Sequence, residues 1–100
     1  MSTGILVVES RPASPEELDT FNKWYDDVHL PEMLALAGVA SARRFASDDG
    51  ESFLAVYELS VDIDEAKANL GAALSSGSMS RPEGVQLDPP PSVRFFSSPQ

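Results

Sequence analysis

Four strand-like runs separated by two helical stretches constrain this chain more than any other feature. "GILVVES" (4–10) is aliphatic and β-branched without alternation, the pattern of a strand covered on both faces. A first helix is announced at Ser14, with Pro15 at its first position and Glu17 completing a capping box. It should run to about Leu30, because Pro31 would clash with the preceding turn, and "PEMLAL" can restart as a short helical turn ended by Gly38. "VASARRFAS" (39–47) and "SFLAVYELS" (52–60) read as strands joined by a "DDGE" turn. Asp62 and Glu65 form a second capping box, opening a helix on an Ile63, Ala66, Leu70, Ala73 and Leu74 stripe. A long loop (75–91) leads to a last strand, "SVRFFSS" (92–98).

The order is β-α-β-β-α-β, the split βαβ plan of α+β, ferredoxin-like domains: a four-stranded antiparallel sheet with two helices on one face. At 100 residues the chain suffices for one domain, 1–100, with one modest core. The strands are apolar on both faces, yet no third helix exists to cover the second. Another copy of the same sheet is the simplest cover, which predicts a sheet-to-sheet homodimer with a barrel-like interior.

Composition narrows the partners. Seven basic and 16 acidic residues give a formal charge of −9, which argues against nucleic acid and anionic membrane surfaces. No cysteine is present, so disulfides and thiolate chemistry are excluded. The first residues lack the basic, long apolar pattern of a signal peptide or membrane span, and a cytoplasmic location is the expectation.

The stretch "FNKWYDDVHLP" (21–31) holds the only histidine and the only tryptophan. Its Asn22, Trp24, Tyr25, His29, Leu30 and Pro31, with Gly38 and the "ARRF" strand carrying Arg44 and Phe45, resemble the EthD-like proteins of the dimeric α+β barrel superfamily. The topological match spans nearly the whole chain and the motif about its first half. The resemblance implies a range of chemistries: polyketide cyclases, cofactor-free quinone-forming monooxygenases, muconolactone isomerases and proteins of ether or aromatic degradation. Fold alone does not choose among them.

On a regular helical wheel Leu18, Phe21, Tyr25 and Val28 form the buried stripe, with Trp24 at one edge. Asn22 and His29, seven apart, nearly superimpose at the other edge, beside Tyr25. His29 then supplies an acid or base near pH 7, while Tyr25 and Asn22 orient a carbonyl or phenol, and Asp26 holds the ring in one tautomer. The plainer alternative is a histidine at a helix end, favouring the dipole and capping carbonyls left open by Pro31. Lys23 and Lys67 lie off the apolar faces, and no carboxylate falls within the buried stripes, so His29 remains the candidate base.

Trp24 and Tyr25 read as core or dimer contacts ahead of substrate stackers. Arg43 and Arg44 point to opposite faces of one strand; an interior arginine binds a carboxylate or enolate, or pairs with Glu58. Tyr57 shares a strand face with Phe53 and Ala55, as pocket lining or as core. The candidate catalytic residues are thus His29 and Tyr25, and the candidate substrate-binding residues Asn22, Trp24, Arg44 and Tyr57. No glycine-rich phosphate loop, nucleotide fingerprint, nucleophile elbow or credible metal-ligand set is present. The expectation is an enzyme without cofactor or metal, acting on a hydrophobic oxygenated small molecule such as an aromatic polyketide or lactone. Proton transfer would drive cyclisation, isomerisation or dehydration. A cofactor-free monooxygenase and a non-catalytic binding or scaffold domain are the alternatives.

Overall fold

The computed structural model describes residues 4–99; Met1–Thr3 and Gln100, counted above within the single domain, lie outside the described residues. Strand β1 (Gly4–Ser10) is central, flanked by β3 (Phe53–Leu59) and β4 (Ser92–Ser97), and β2 (Val39–Ala46) closes the edge beyond β3. The order β2-β3-β1-β4 is antiparallel throughout, the ferredoxin-like arrangement expected from the element order.

Register decides which residues meet the helices. Leu6 pairs with Tyr57 and Phe95, Val8 with Ala55, and Arg44 with Ala55 from the other side. Leu6, Ala55, Tyr57 and Leu59 pack with Phe21, Trp24, Tyr25 and Met33 from the first helix and Ala66 from the second. The opposite face carries Ile5, Val7, Phe45, Leu54, Val56 and Phe96 among Glu9, Arg43, Glu58 and Arg94, and no helix among the described residues covers it.

The first helical segment departs from its expected form in three places. It opens with a tight 3-10 turn, Pro15–Glu17, and Ser14 makes no side-chain cap. The Glu17 N–H that would have bonded the hydroxyl is donated instead to the Ser14 carbonyl at 3.0 Å. Helix α1 (Leu18–Trp24) then widens into a π-helical turn, Tyr25–His29, in which Leu30 N–H donates to the Tyr25 carbonyl five residues back. Finally, Pro31 does not end the helix: α2 (Leu30–Leu34) continues directly. Inside a widened turn the regular i→i−4 ladder is already interrupted, so the missing N–H of Pro31 costs little there. Leu18, expected in the buried stripe, is 36% exposed, while Trp24, expected at its edge, is only 6% exposed.

Helix α3 (Ile63–Ser76) starts as expected, the Asp62 carboxylate accepting from Glu65 N–H at 2.8 Å, and stops at Gly77. Leu74 is exposed, because the stripe that meets the sheet runs through Ala66 and Ala73. The loop after α3 is fastened at several points. Ala13 and Gln86 N–H donate to Gly84 and Arg11 carbonyls at 2.7 and 2.9 Å, and Val85 enters the core. Gly84 has φ +71°, and a Cβ there would lie 2.8 Å from the Phe21 nitrogen. Farther back, the Glu32 carboxylate accepts from Ser80 N–H at 3.0 Å and from its hydroxyl at 2.6 Å.

Candidate active site at the widened helical turn

Trp24 and His29 are five residues apart, which on a regular α-helix places them about 140° apart. The π-helical turn brings them together: their rings stack at 4.5 Å with an interplanar angle of 16°. Tyr25 meets both edge-on, at 5.0 Å from Trp24 and 5.3 Å from His29. From the sheet, Tyr57 approaches His29 edge-on at 6.5 Å.

Arg44 forms the other half of the cluster. Its guanidinium donates to Asp26 Oδ1 at 3.0 Å and to Asn22 Oδ1 at 2.8 Å. It also lies 4.8 Å from the centre of the Tyr25 ring, with Phe21 and Phe53 at 5.5 and 5.4 Å. The expected Arg44–Glu58 pairing does not form. Glu58 faces the opposite side of the sheet, where the Ser41 hydroxyl donates to it at 2.8 Å.

Three further expectations for the helix are corrected by this geometry. Asn22 and His29 are not superimposed, since the extra residue in the turn rotates the residues beyond it by roughly 100°. Asn22 goes to Arg44 and His29 to Trp24. Asp26 is likewise committed to Arg44 and does not orient the imidazole. His29 also lies within a continuous helical path that reaches Leu34, so it is not a helix-end residue.

Three buried polar atoms have no hydrogen-bond partner among the described residues: Trp24 Nε1, His29 Nδ1 and the Tyr57 hydroxyl. All three belong to rings of one cluster. Leaving a buried donor or acceptor unpaired costs about 1–3 kcal/mol, so their grouping sets this part of the core apart. Burial lowers the His29 pKa below its ordinary 6.5, against a smaller opposing pull from the Glu32 carboxylate, and leaves a neutral imidazole at pH 7. Burial pushes the Tyr57 phenol far above its ordinary 10, with the Tyr25 phenol adding to the rise and Arg44 opposing it. Tyr25 also rises through burial, offset by its hydrogen bond to Ser10 and by Arg44. The arrangement therefore joins a neutral base, two phenols that stay protonated, and a fixed cation.

Ser10 has no counterpart among the residues singled out from the sequence. It is 5% exposed, and its Oγ lies 3.0 Å from the Tyr25 hydroxyl. The parity of Leu6, Val8 and Ser10 on β1 is the available signal, hidden because the strand reads as apolar on both faces.

A surface cavity of about 300 Å³ is lined by Thr20, Lys23, Trp24, Asp27, Val28 and Glu83. Among the described residues no group of three His, Asp or Glu side chains suits a metal ion, and no helix is long and apolar enough to cross a membrane.

No family model matches the chain, and no curated protein matches it. Among solved structures it is similar to a monooxygenase from the gene ActVA-Orf6 of Streptomyces coelicolor, crystallised in complex with the ligand Nanaomycin D. The TM-score is 0.55 and the identity 20%, over 98% of this chain and 89% of that one. At such identity the likeness establishes the fold. The chain is a ferredoxin-like α+β domain.

Proposed function

We propose that this protein is an EthD-like, cofactor-independent enzyme that moves a proton on a hydrophobic oxygenated small molecule, with His29 as acid and base. The observation that carries this reading is the buried, unpartnered Nδ1 of a neutral imidazole set beside an equally unpartnered Tyr57 hydroxyl. His29 takes a proton from an acidified C–H or phenolic O–H of the substrate, and the electron pair stays behind as an enolate or phenolate. Arg44, fixed by Asp26 and Asn22, and the protonated Tyr57 and Tyr25 phenols favour that developing charge. Trp24 supplies an apolar wall. The imidazolium then returns the proton to another carbon, giving isomerisation, to the alkoxide oxygen formed when the enolate carbon attacks a substrate carbonyl, giving ring closure, or to a leaving hydroxyl, giving dehydration. The working form is a homodimer joined through the open sheet face.

The similarity to the Streptomyces monooxygenase favours a second reading. The same deprotonated substrate would add dioxygen, and a phenol plus O₂ would give a quinone plus water. Both readings share the first proton transfer, so oxygen separates them. Turnover of a panel of naphthols and unsaturated aromatic lactones should persist under argon if proton transfer is the whole reaction. Strict dependence on dissolved oxygen would replace the first reading with the second. Binding of the panel with no turnover in either atmosphere would leave a binding domain and remove both.

A further inference from the structure

We propose that Ser10 is a positioning residue of this site, holding the Tyr25 phenol in the one orientation that serves both the Trp24–His29 stack and Arg44. The inference rests on the proton-transfer reading above, and it adds a residue from outside the helical motif.

Tyr25 is the common neighbour of every group in the cluster. Its ring edge meets Trp24 and His29 at 81° and 87°, while Arg44 sits 4.8 Å from its centroid. Phe21 packs against it at 5.2 Å. One ring cannot rotate without disturbing all of these contacts, so whatever fixes its angle fixes the site. Apolar packing is non-directional, and a hydrogen bond at the far end of the ring adds a directional restraint.

Ser10 makes that bond, at 3.0 Å, from the last residue of the central strand. It is the buried polar residue of this core, and no other bond to the Tyr25 hydroxyl is found among the described residues. On its outer side Ser10 borders a cavity of about 230 Å³ with Arg11, Gln86 and Pro89. Without the serine hydroxyl the phenol loses that partner, and its ring can shift against Arg44 and His29.

The single histidine makes the test direct, because its imidazole signals in NMR need no assignment. The groups around it that titrate or carry charge are Glu32 on α2, Tyr25 on its own turn and Tyr57 on β3, with Arg44 on β2 acting on both phenols. Ser10→Ala should move the His29 titration up toward 6.5 as the imidazole gains solvent. Ser10→Thr, which keeps the hydroxyl and suits a strand, should leave it where the natural protein has it. A serine that merely supports packing would lower the urea midpoint in Ser10→Ala with no movement of the His29 titration, and that result overturns the proposal. If Ser10→Ala does not fold, Tyr25→Phe breaks the same bond from the helix side while keeping the ring. An unmoved His29 titration there overturns the proposal equally. Where the singles fold, the Ser10→Ala/Tyr25→Phe double variant should lose no more of the urea midpoint than the worse single; additive losses would show that the two hydroxyls act separately. The two readings fail separately. Full turnover in His29→Ala removes proton transfer by His29, whereas a titration unmoved by Ser10→Ala removes only the role of Ser10.

Discussion

Tyr57 has no exposed surface and no partner for its hydroxyl among the described residues, so the folded state bears a cost that a phenylalanine would not. Tyr57→Phe is expected to raise stability by about 1 kcal/mol, a gain of roughly 4–8 °C in Tm for a domain of this size, while lowering turnover. A fall in Tm on calorimetry would mean that the hydroxyl is structural after all. His29 invites a pH experiment. Folding lowers its pKa below 6.5, so as the pH falls the unfolded chain takes up the proton first. Stability should therefore be level from 6.5 up to the ordinary tyrosine value of 10 and decline below 6.5, toward the folded-state pKa. The carboxylates held low, Glu32 and Asp49, add their own losses only below their ordinary 4.5 and 3.8. The interval between 6.5 and about 5 thus belongs to His29, and Tm should slope there in the natural protein and be flat in His29→Gln. In kinetics, His29→Ala should lower turnover about 10²- to 10⁴-fold, and His29→Gln should not restore it. His29 is legible as a candidate because a single imidazole among aromatics is a local fact of the sequence. Tyr57 is a candidate from its strand face, but its place beside His29, and the bond from Ser10 to Tyr25, are not legible, since both depend on strand register and a turn of unexpected pitch.

Elements with self-contained signals form where the sequence places them. The cap at Asp62 uses a side chain and an amide three residues apart, and nothing elsewhere competes for either. At Ser14 the same signature fails, because the backbone carbonyl takes the donor first. The π-helical turn has no local signature; it exists where Trp24, Tyr25 and His29 all gain contacts that a regular pitch would deny them. That is a tertiary cause, invisible to a wheel drawn at 3.6 residues per turn. The segment after α3 carries only loop signals, yet its Gly84 presses against the backbone of Glu17 and Phe21. Gly84→Ala would force a Cβ into that contact at a positive φ, and neither backbone can step aside. A loss of roughly 1–3 kcal/mol is expected, read as a lower urea midpoint. An unchanged midpoint would mean that the segment does not brace the helix.

At the scale of the whole molecule, the unpaired sheet face sets the expected assembly. Phe45 and Phe96 are 45% and 39% exposed at its two edges, each under an arginine, Arg43 at 5.3 Å and Arg94 at 4.7 Å. The two arginines of the face are matched by Glu9 and Glu58, so it is neutral on a chain whose net charge is −9. Such a surface can meet a copy of itself without the repulsion that the rest of the molecule would impose. Light scattering at micromolar concentration should give a dimer, and Val56→Arg, opposite Val7 and Arg43 at the centre of the face, a folded monomer. A monomer in the natural protein would end the sheet-to-sheet reading. The register of β1 and β4 has a different consequence. Gly4 lies directly opposite Ser97, so the two ends of the sheet-forming chain finish side by side. A short linker should join them, and the exposed turn at Asp48–Glu51 offers a place to reopen the chain. In such a circular permutant Ser10, the widened turn and Arg44 would meet as before, because their meeting depends on which strands are neighbours and not on which is synthesised first.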